Sequence, residues 1–105
     1  MQELQVNKEN CFSVLMAVYK KEQPLFFKEA LRSVFEQSLI PNEVVLVKDG
    51  PLTEELEQII VDFSSKNEQL KVITLEKNQG LGEALRIGLN ACSFDLVARM
   101  DSDDI

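Results

Sequence analysis

Residues 12–19 read FSVLMAVY, a nearly continuous apolar run, and this stretch decides the fold of the chain. A short run without polar alternation is typical of a β-strand that is covered on both of its faces. Such strands occur in parallel sheets, where a crossover helix joins each strand to the next. The run therefore predicts an α/β architecture with helices on both sides of the sheet.

The rest of the chain alternates between extended and helical patterns in the order that this architecture requires. Three further apolar runs predict strands, at residues 43–47, 70–75 and 94–100. The alternation within 70–75 favours an edge strand, whereas the last run is expected to be buried. Pro24, Thr53 and Leu81 mark the expected starts of three intervening helices. The predicted fold is a three-layer α/β/α, Rossmann-like domain with a mainly parallel sheet of about four strands.

Composition is typical of one small globular domain and excludes several functions. The chain has 105 residues, of which 45% are hydrophobic and 28% charged, enough for a single core. A net charge of −7 without a basic stripe argues against a general nucleic-acid binder. The absence of histidine excludes His-based triads and His-ligated zinc. Cys11 and Cys92 lack metal-ligand spacing and are expected to be small, buried or half-buried thiols, as in a reducing compartment.

The patterning predicts one domain boundary and a location. Residues 1–10 are polar and unpatterned, so we expect a poorly structured N-terminal lead before a domain spanning 11–105. No apolar run approaches the roughly 20 residues that span a bilayer, and the N-terminus has no signal-peptide pattern. A cytoplasmic location is therefore expected, with the inner face of the membrane as the setting of a longer parent protein.

Three carboxylates follow the last predicted strand within four positions: Asp101, Asp103 and Asp104. Acids packed this closely repel one another, and a hard divalent cation such as Mg²⁺ or Mn²⁺ offsets that repulsion. A D-x-D pattern at a strand end thus indicates a metal that holds a phosphate-bearing ligand, with a solvated acidic loop as the alternative. In parallel sheets, ligands bind beyond the carboxyl ends of the strands. Tyr19, Asp49 and the acidic cluster should all collect at that edge.

Five different short motifs follow one another along the chain. They are Ala17-Val18-Tyr19, then Ser33, Gln37, Pro41 and Glu43, then Asp49-Gly50, then Asn78, Gly80 and Ala84, and last Asp101 with Asp103. Each motif is weak by itself, but the ordered set resembles the nucleotide-binding half of an inverting, GT-A-fold glycosyltransferase of family 2. The resemblance runs from Phe12 to Ile105. Lys48, Pro51 and Arg86 depart mildly from the family pattern, and the departure at Arg86 makes a direct ligand role for that residue doubtful.

The resemblance implies a site for a nucleotide diphosphate sugar, formed first by the residues after the first two strands. Ala17, Val18 and Tyr19 would lie against the nucleotide, with the Tyr19 ring stacked on the base. Asp49 would accept a hydrogen bond from the base, for which uracil is favoured. Two other interpretations stay open. Tyr19 could be a strand-end aromatic that caps the core. Asp-Gly-Pro at 49–51 could serve only to form a turn, which these residues favour.

The same resemblance assigns the phosphate and metal contacts. Gly80 and Gly82 would let the backbone approach the ligand at a helix start, where N–H groups favour phosphate. Asp101 would hold the ribose hydroxyls, and Asp103 together with Asp101 would hold Mn²⁺ or Mg²⁺ against the diphosphate. Asp104 is either a supporting acid or the alternative metal ligand. Arg99 either contacts phosphate or forms an ion pair with the acidic cluster.

The implied reaction transfers a sugar from a nucleotide diphosphate sugar, with UDP favoured, to an acceptor hydroxyl. The metal stabilises charge on the departing diphosphate, and a carboxylate base deprotonates the acceptor from the opposite face, which inverts the anomeric centre. That base is expected beyond Ile105, so we expect a donor-binding fragment, inactive alone, of an enzyme of cell-surface polysaccharide synthesis. The acceptor site is likewise expected outside this chain.

Two other functions remain open from the residues alone. The first is a nucleotidyltransferase-like nucleotide-binding domain, which shares the sheet type but lacks its Gly-rich phosphate loop here; Lys20 and Lys21 are the nearest substitute. The second is a noncatalytic α/β oligomerisation module. In either case apolar surface left by a missing C-terminal half would favour self-association.

Overall fold

The computed structural model describes residues 11–101, and within them four strands alternate with three helices. The elements are β1 Ser13–Val18, α1 Pro24–Glu36, β2 Glu43–Lys48, α2 Glu54–Lys66, β3 Leu70–Thr74, α3 Leu81–Ala91 and β4 Val97–Arg99. This order confirms the predicted β-α-β-α-β-α-β sequence. The proposed N-terminal lead at 1–10, and the acids Asp103 and Asp104, lie outside the described residues.

The four strands form one parallel sheet in the order β3-β2-β1-β4. β1 pairs with β2 from Ser13 opposite Glu43 to Val18 opposite Lys48, and with β4 on its other side. The chain thus builds outwards from β1 to β3 and then returns to the opposite side of β1. Ligands of open parallel sheets bind where the strand order reverses in this way, here between β1 and β4. The edge position predicted for β3 is confirmed.

Helices cover both faces of the sheet, which explains why β1 carries so few polar residues. One core lies beneath α1 and α2 and includes Met16 and Val18 of β1 with the fully buried Phe27 of α1. A second core lies beneath α3 and includes Leu15 and Ala17 of β1. Successive strand side chains point to opposite faces, so each of the two cores takes alternate residues of β1. The predicted three-layer arrangement is confirmed.

The helices begin where the local signals predict. Pro24 occupies the start of α1, and α3 begins at Leu81. The hydroxyl of Thr53 accepts a hydrogen bond from the N–H of Leu56 at 3.2 Å and caps α2. Gly88 sets the separation of α3 from the sheet, because a Cβ there would lie 2.4 Å from a side-chain carbon of Leu15.

A buried carboxylate joins the strands at the end of the sheet opposite to the predicted site. Glu43 accepts hydrogen bonds from the Ser13 hydroxyl at 2.6 Å and from the N–H and hydroxyl of Ser93 at 2.8 and 2.9 Å, and it pairs with Lys71. Burial by itself raises the pKa of Glu43, but the hydrogen bonds from Lys71, Ser13 and Ser93 outweigh it and lower that pKa to about 2. One side chain therefore ties β1, β2, β3 and the segment before β4 together.

The prediction of a buried fourth strand over 94–100 is wrong. β4 spans only Val97–Arg99, and its side chains are half-buried or exposed. The reason is its position, since within residues 11–101 β4 lies at the sheet edge and pairs only with β1. Backbone bonds extend this contact by one residue at each end: Ser13 N–H donates to the Leu96 carbonyl and Met100 N–H donates to the Leu15 carbonyl, both at 2.9 Å.

Both cysteines match the expectation of small thiols. Cys11 is buried and Cys92 half-buried, and neither forms a disulfide. Burial, together with the nearby charge of Glu43, raises the pKa of Cys92 and so disfavours its thiolate. None of the helices within residues 11–101 combines the length and the apolar character that crossing a bilayer requires.

Candidate functional site

A cleft of about 390 Å³ opens at the carboxyl ends of β1, β2 and β4. Its lining combines the predicted site residues with new ones: Ala17, Val18, Tyr19, Glu22, Asp49, Asn78, Gly80, Leu81, Leu85, Arg99, Met100 and Asp101. Six predicted ligand contacts, Ala17, Val18, Tyr19, Asp49, Gly80 and Asp101, therefore share one cavity, although their binding roles stay predictions. Parallel strands bring this about, because segments far apart in sequence end at the same edge.

Asp49 joins the end of β2 to the loop that precedes α3. Its buried carboxylate accepts hydrogen bonds from the N–H of Gln79 at 2.8 Å and from the N–H of Gly80 at 3.1 Å. The side chain of Asn78 donates to the Asp49 carbonyl at 3.3 Å, which strengthens the same junction. A carboxylate offers about four lone-pair positions, so Asp49 keeps acceptor capacity towards the cleft. It therefore can serve both the loop and a ligand.

Two glycines make that junction possible. Gly50 and Gly80 have φ values of +92° and +97°, a region that other residues rarely adopt. A Cβ at Gly50 would lie 2.6 Å from the backbone nitrogen of Asn78, so the two loops approach too closely for any side chain. A Cβ at Gly80 would meet no atom within 4 Å, which shows open space beside the start of α3. The N–H groups of a helix start generally favour an anion.

Tyr19 forms an aromatic wall of the cleft. The residue is 40% exposed and belongs to neither core, so it does not cap the core as the alternative interpretation requires. The turn after β1 holds its backbone, since the Glu22 N–H donates to the Tyr19 carbonyl at 3.0 Å. An aromatic ring held at a cleft wall can stack on a planar base.

Arg99 and Asp101 form an ion pair in the lining of the cleft. The guanidinium contacts one oxygen of Asp101 at 3.1 Å, through both Nε and a terminal nitrogen, and both side chains are about half exposed. This geometry is the ion pair expected from the sequence as one of two roles for Arg99. Arg99 is also the only cationic side chain that lines the cleft within residues 11–101.

Three residues that the sequence placed near the site lie outside the cleft lining. Arg86 pairs with Glu83 on an exposed part of α3, in agreement with its doubtful ligand role. Lys48 extends instead towards α2, where its Nζ lies 2.8 Å from Glu57. Gly82 is the second residue of α3 and does not line the cleft.

Sequence reasoning gave no role to Glu22, Asn78, Leu85 or Met100, which also line the cleft. Asn78 could have been found, because it stands in the same short motif as Gly80. Glu22 and Met100 lie within three residues of Tyr19 and Asp101, so proximity along the chain was their only signal. No feature of the sequence marked Leu85 as a cleft residue, since its spacing on the helix is that of an ordinary core residue.

Among the cleft carboxylates of residues 11–101, Asp101 is the one that belongs to the predicted metal motif. Asp101 is half-buried at the cleft wall, and within residues 11–101 no three acidic, histidine or cysteine side chains lie close enough to hold a metal. Asp101 fits Mg²⁺ or Mn²⁺ in ligand type, because both cations prefer carboxylate oxygens. A complete site therefore needs further ligands, for which Asp103 and Asp104 lie outside the described range.

Comparison with known proteins places this geometry in a family. The protein-family model described as "Glycosyl transferase family 2" matches residues 13–105 of this chain. The UDP-Gal:alpha-D-GlcNAc-diphosphoundecaprenol beta-1,3-galactosyltransferase of Escherichia coli is 52% identical over 94 residues, which cover 90% of this chain and 34% of that protein. The amylovoran biosynthesis glycosyltransferase AmsE of Erwinia amylovora is 45% identical, with 90% of this chain and 35% of AmsE covered.

The fold is likewise that of solved glycosyltransferases. The structure of S. aureus TarS 1-349 in complex with UDP-GlcNAc superposes with a TM-score of 0.74 at 33% sequence identity, covering 89% of this chain and 26% of that one. The predicted GT-A, Rossmann-like fold is confirmed. This chain spans only about a third of the length of the curated relatives that it matches. With its family match running from the first residue of β1 to Ile105, the chain belongs to glycosyl transferase family 2.

Proposed function

We propose that this chain is the donor-binding part of an enzyme that transfers a sugar from a UDP-sugar to an acceptor hydroxyl with inversion. The observation that carries the proposal is the single cleft that gathers Tyr19, Asp49, Gly80 and Asp101. UDP is favoured as the nucleotide because one relative is named for UDP-Gal and a related structure contains UDP-GlcNAc. Family membership favours this function over a nucleotidyltransferase and over a noncatalytic module.

The nucleoside is proposed to bind between β1 and the loop that Asp49 holds. Tyr19 stacks on the base from its exposed position at the end of β1, with Ala17 and Val18 beside it. Asp49 accepts a hydrogen bond from the base N–H with the lone pairs that Gln79 and Gly80 leave available. Asp101 accepts hydrogen bonds from the ribose hydroxyls at the opposite wall. In this proposal the base and the ribose bind to different walls of the cleft.

The diphosphate is proposed to lie near the start of α3 and beside Arg99. The open space at Gly80 and the N–H groups of the helix start favour an anion there. Asp101 and Asp103 would hold a divalent cation there, which would stabilise the negative charge that develops on the leaving diphosphate. Arg99 adds a positive charge in the lining of the same cleft.

The acceptor side is proposed to lie in the two-thirds of the relatives that this chain does not match. That part supplies the carboxylate base for the acceptor hydroxyl and the acceptor-binding surface, so this chain alone is expected to be inactive. The name of one relative gives its acceptor as a diphosphoundecaprenol-linked sugar, and another relative is named for amylovoran biosynthesis. We therefore propose a lipid-linked acceptor in cell-surface polysaccharide synthesis, on the cytoplasmic side of the membrane.

Calorimetric titration of the 105-residue chain with UDP, GDP and dTDP, each with and without Mn²⁺, tests the proposal. Binding of UDP that strengthens at least tenfold with Mn²⁺ is expected, with weaker binding of GDP. The variant Asp101→Asn should lose the Mn²⁺ dependence, whereas Asp62→Asn, on the exposed part of α2, should keep it. Absence of binding to any nucleotide in the presence of Mn²⁺ would overturn the assignment of a donor site.

A further inference from the structure

We propose that the beginning of α1 docks this protein onto an anionic lipid surface. The docking surface consists of Lys20, Lys21, Leu25, Phe26 and Lys28. It combines exposed apolar side chains, exposed lysines and a helix start without a side-chain cap, and these lie within nine residues of one another. The proposal rests on the proposed function, in which the acceptor is a lipid-linked sugar.

The apolar part is a pair of large side chains that the fold leaves in water. Leu25 is 67% exposed and Phe26 is 46% exposed, although the next residue, Phe27, is completely buried. Both stand in the first turn of α1, the end of the helix that follows the cleft edge of β1. Leucine and phenylalanine at the end of a surface helix fit the boundary between lipid headgroups and acyl chains.

The lysines supply a charge opposite to that of anionic headgroups. Lys20, Lys21 and Lys28 are all exposed, and none forms an ion pair within residues 11–101. Arg32 and Arg86 are also exposed but are each paired with a glutamate on the same helix. The acids far from this surface oppose binding only weakly, because the screening length at physiological salt is about 8 Å. Within the same stretch, Glu29 is paired with Arg32, and Glu22 is the acid that lowers the local positive charge.

The start of α1 adds a positive partial charge at the same place. Gln23 at the N-cap makes no capping hydrogen bond with its side chain, and the first turn contains no acid. The start of α2 is the opposite case, with a Thr53 cap and three glutamates in its first turn. The dipole of α1 is therefore uncompensated where Leu25 and Phe26 are exposed, which favours a phosphate-bearing headgroup.

This docking surface lies next to the proposed donor site. Glu22 lines the cleft and stands three residues before Leu25, so their α-carbons are at most about 11 Å apart. A protein docked through Leu25 and Phe26 would thus hold the mouth of the cleft near the lipid surface. That placement suits a reaction between a soluble nucleotide sugar and an acceptor anchored in lipid.

A lipid surface fits these residues better than a second copy of the chain. A two-fold dimer places the same patch on both subunits, so the three lysines of one copy would face those of the other. Two apolar side chains are also few for a stable protein interface, which buries roughly 800 Å² on each partner. A sheet of anionic headgroups meets the lysines with opposite charge instead.

Co-sedimentation of the 105-residue chain with vesicles tests the proposal. Binding is expected to vesicles of phosphatidylglycerol and phosphatidylcholine, with little binding to phosphatidylcholine alone. The double variant Leu25→Ser/Phe26→Ser should lower the partition coefficient at least about tenfold. Replacing Lys20 and Lys21 by serine should lower the partition coefficient about fivefold for each lysine. Added salt should also lower the partition coefficient.

Matched controls use the same kinds of residue on α2. Val61→Ser removes an apolar side chain that is 57% exposed, and Lys66→Ser removes an exposed lysine. Both should bind the anionic vesicles as the unaltered chain does, and circular dichroism should show all variants folded. Equal losses in the α1 and α2 variants, or no binding to anionic vesicles, would overturn the proposal.

A second measurement separates this inference from the donor site and from dimerisation. Analytical ultracentrifugation should show no change of mass for Leu25→Ser/Phe26→Ser; a loss of dimer would instead identify a second copy as the occupant and overturn the lipid proposal. UDP titration does not involve these side chains and should be unchanged in the variant. Vesicle binding without UDP binding would contradict the proposed function alone.

Discussion

The carboxylate of Asp49 accepts a hydrogen bond from the backbone N–H of Gly80 at 3.1 Å and thereby joins the end of β2 to the start of α3. The same carboxylate accepts a second bond from the N–H of Gln79 at 2.8 Å. A residue that resembles a base-binding aspartate thus also supports the loop on which the phosphate is proposed to rest. The cleft walls from β2 and α3 consequently depend on one buried side chain.

The variant Asp49→Asn should destabilise the fold and weaken nucleotide binding together. An amide keeps one acceptor oxygen but turns an NH₂ group towards a backbone N–H, and a buried donor without an acceptor costs about 1–3 kcal/mol of unfolding free energy. Urea denaturation measures the stability, and calorimetry measures UDP binding. Asp62→Asn is the control, because that carboxylate is exposed and accepts a hydrogen bond from the exposed side chain of Gln58. An unchanged unfolding free energy in Asp49→Asn would show that the carboxylate does not hold the two loops together.

Replacing the glycines by alanine should give three different results. Gly50→Ala should destabilise most, since it combines a positive φ with a Cβ that would lie 2.6 Å from the backbone of Asn78. Gly80→Ala should cost about 1–3 kcal/mol from its backbone conformation alone, because the space beside it is open. Gly82→Ala, inside α3, should stabilise by about 0.5–1 kcal/mol. Thermal unfolding of the three variants checks the order, and a Gly50→Ala protein as stable as Gly82→Ala would refute it.

Substitutions of Tyr19 should distinguish stacking from packing. Tyr19→Ala removes the ring and should weaken UDP binding about tenfold, the effect typical of losing one base–aromatic stack. Tyr19→Phe keeps the aromatic face and should bind UDP nearly as well as tyrosine does. Because the residue is 40% exposed and outside both cores, neither variant should lower the melting temperature appreciably. A large loss of stability in Tyr19→Ala would restore the capping interpretation.

The buried Glu43 should make the free energy of unfolding depend on pH. Its pKa is about 2 in the folded chain and 4.5 ordinarily, so its contribution is fully present above pH 4.5 and is lost as the pH falls towards 2. Each pH unit between the two pKa values corresponds to about 1.4 kcal/mol, which puts the contribution at about 3 kcal/mol.

Chemical denaturation between pH 7 and pH 3 tests this dependence. Glu43→Gln should be less stable at pH 7 and should lose stability less steeply on acidification than the unaltered chain. Glu36→Gln, at an exposed position on α1, serves as the control and should follow the unaltered chain throughout. Parallel curves for Glu43→Gln and the unaltered chain would show that Glu43 does not cause the acid dependence.

The parts of the site that the sequence predicted are those tied to strand ends. Tyr19, Asp49 and Asp101 follow apolar runs whose parallel arrangement places them at one edge, and all three line the cleft. The motif around Gly80 added the start of α3. The extent of β4 was predicted wrongly, because an apolar run does not show whether its strand has one neighbour or two.

What the sequence by itself determined is the succession of strands and helices and the two-sided burial of β1. These depend on the spacing of apolar residues over short distances, which is visible along the chain. Only the tertiary structure decided that β4 lies beside β1, that Glu43 holds Ser93 from 50 positions away, and that Asp49 supports Gly80. Those relationships join residues that are far apart in the chain, and no periodicity along the sequence records which partner a strand or a carboxylate will meet.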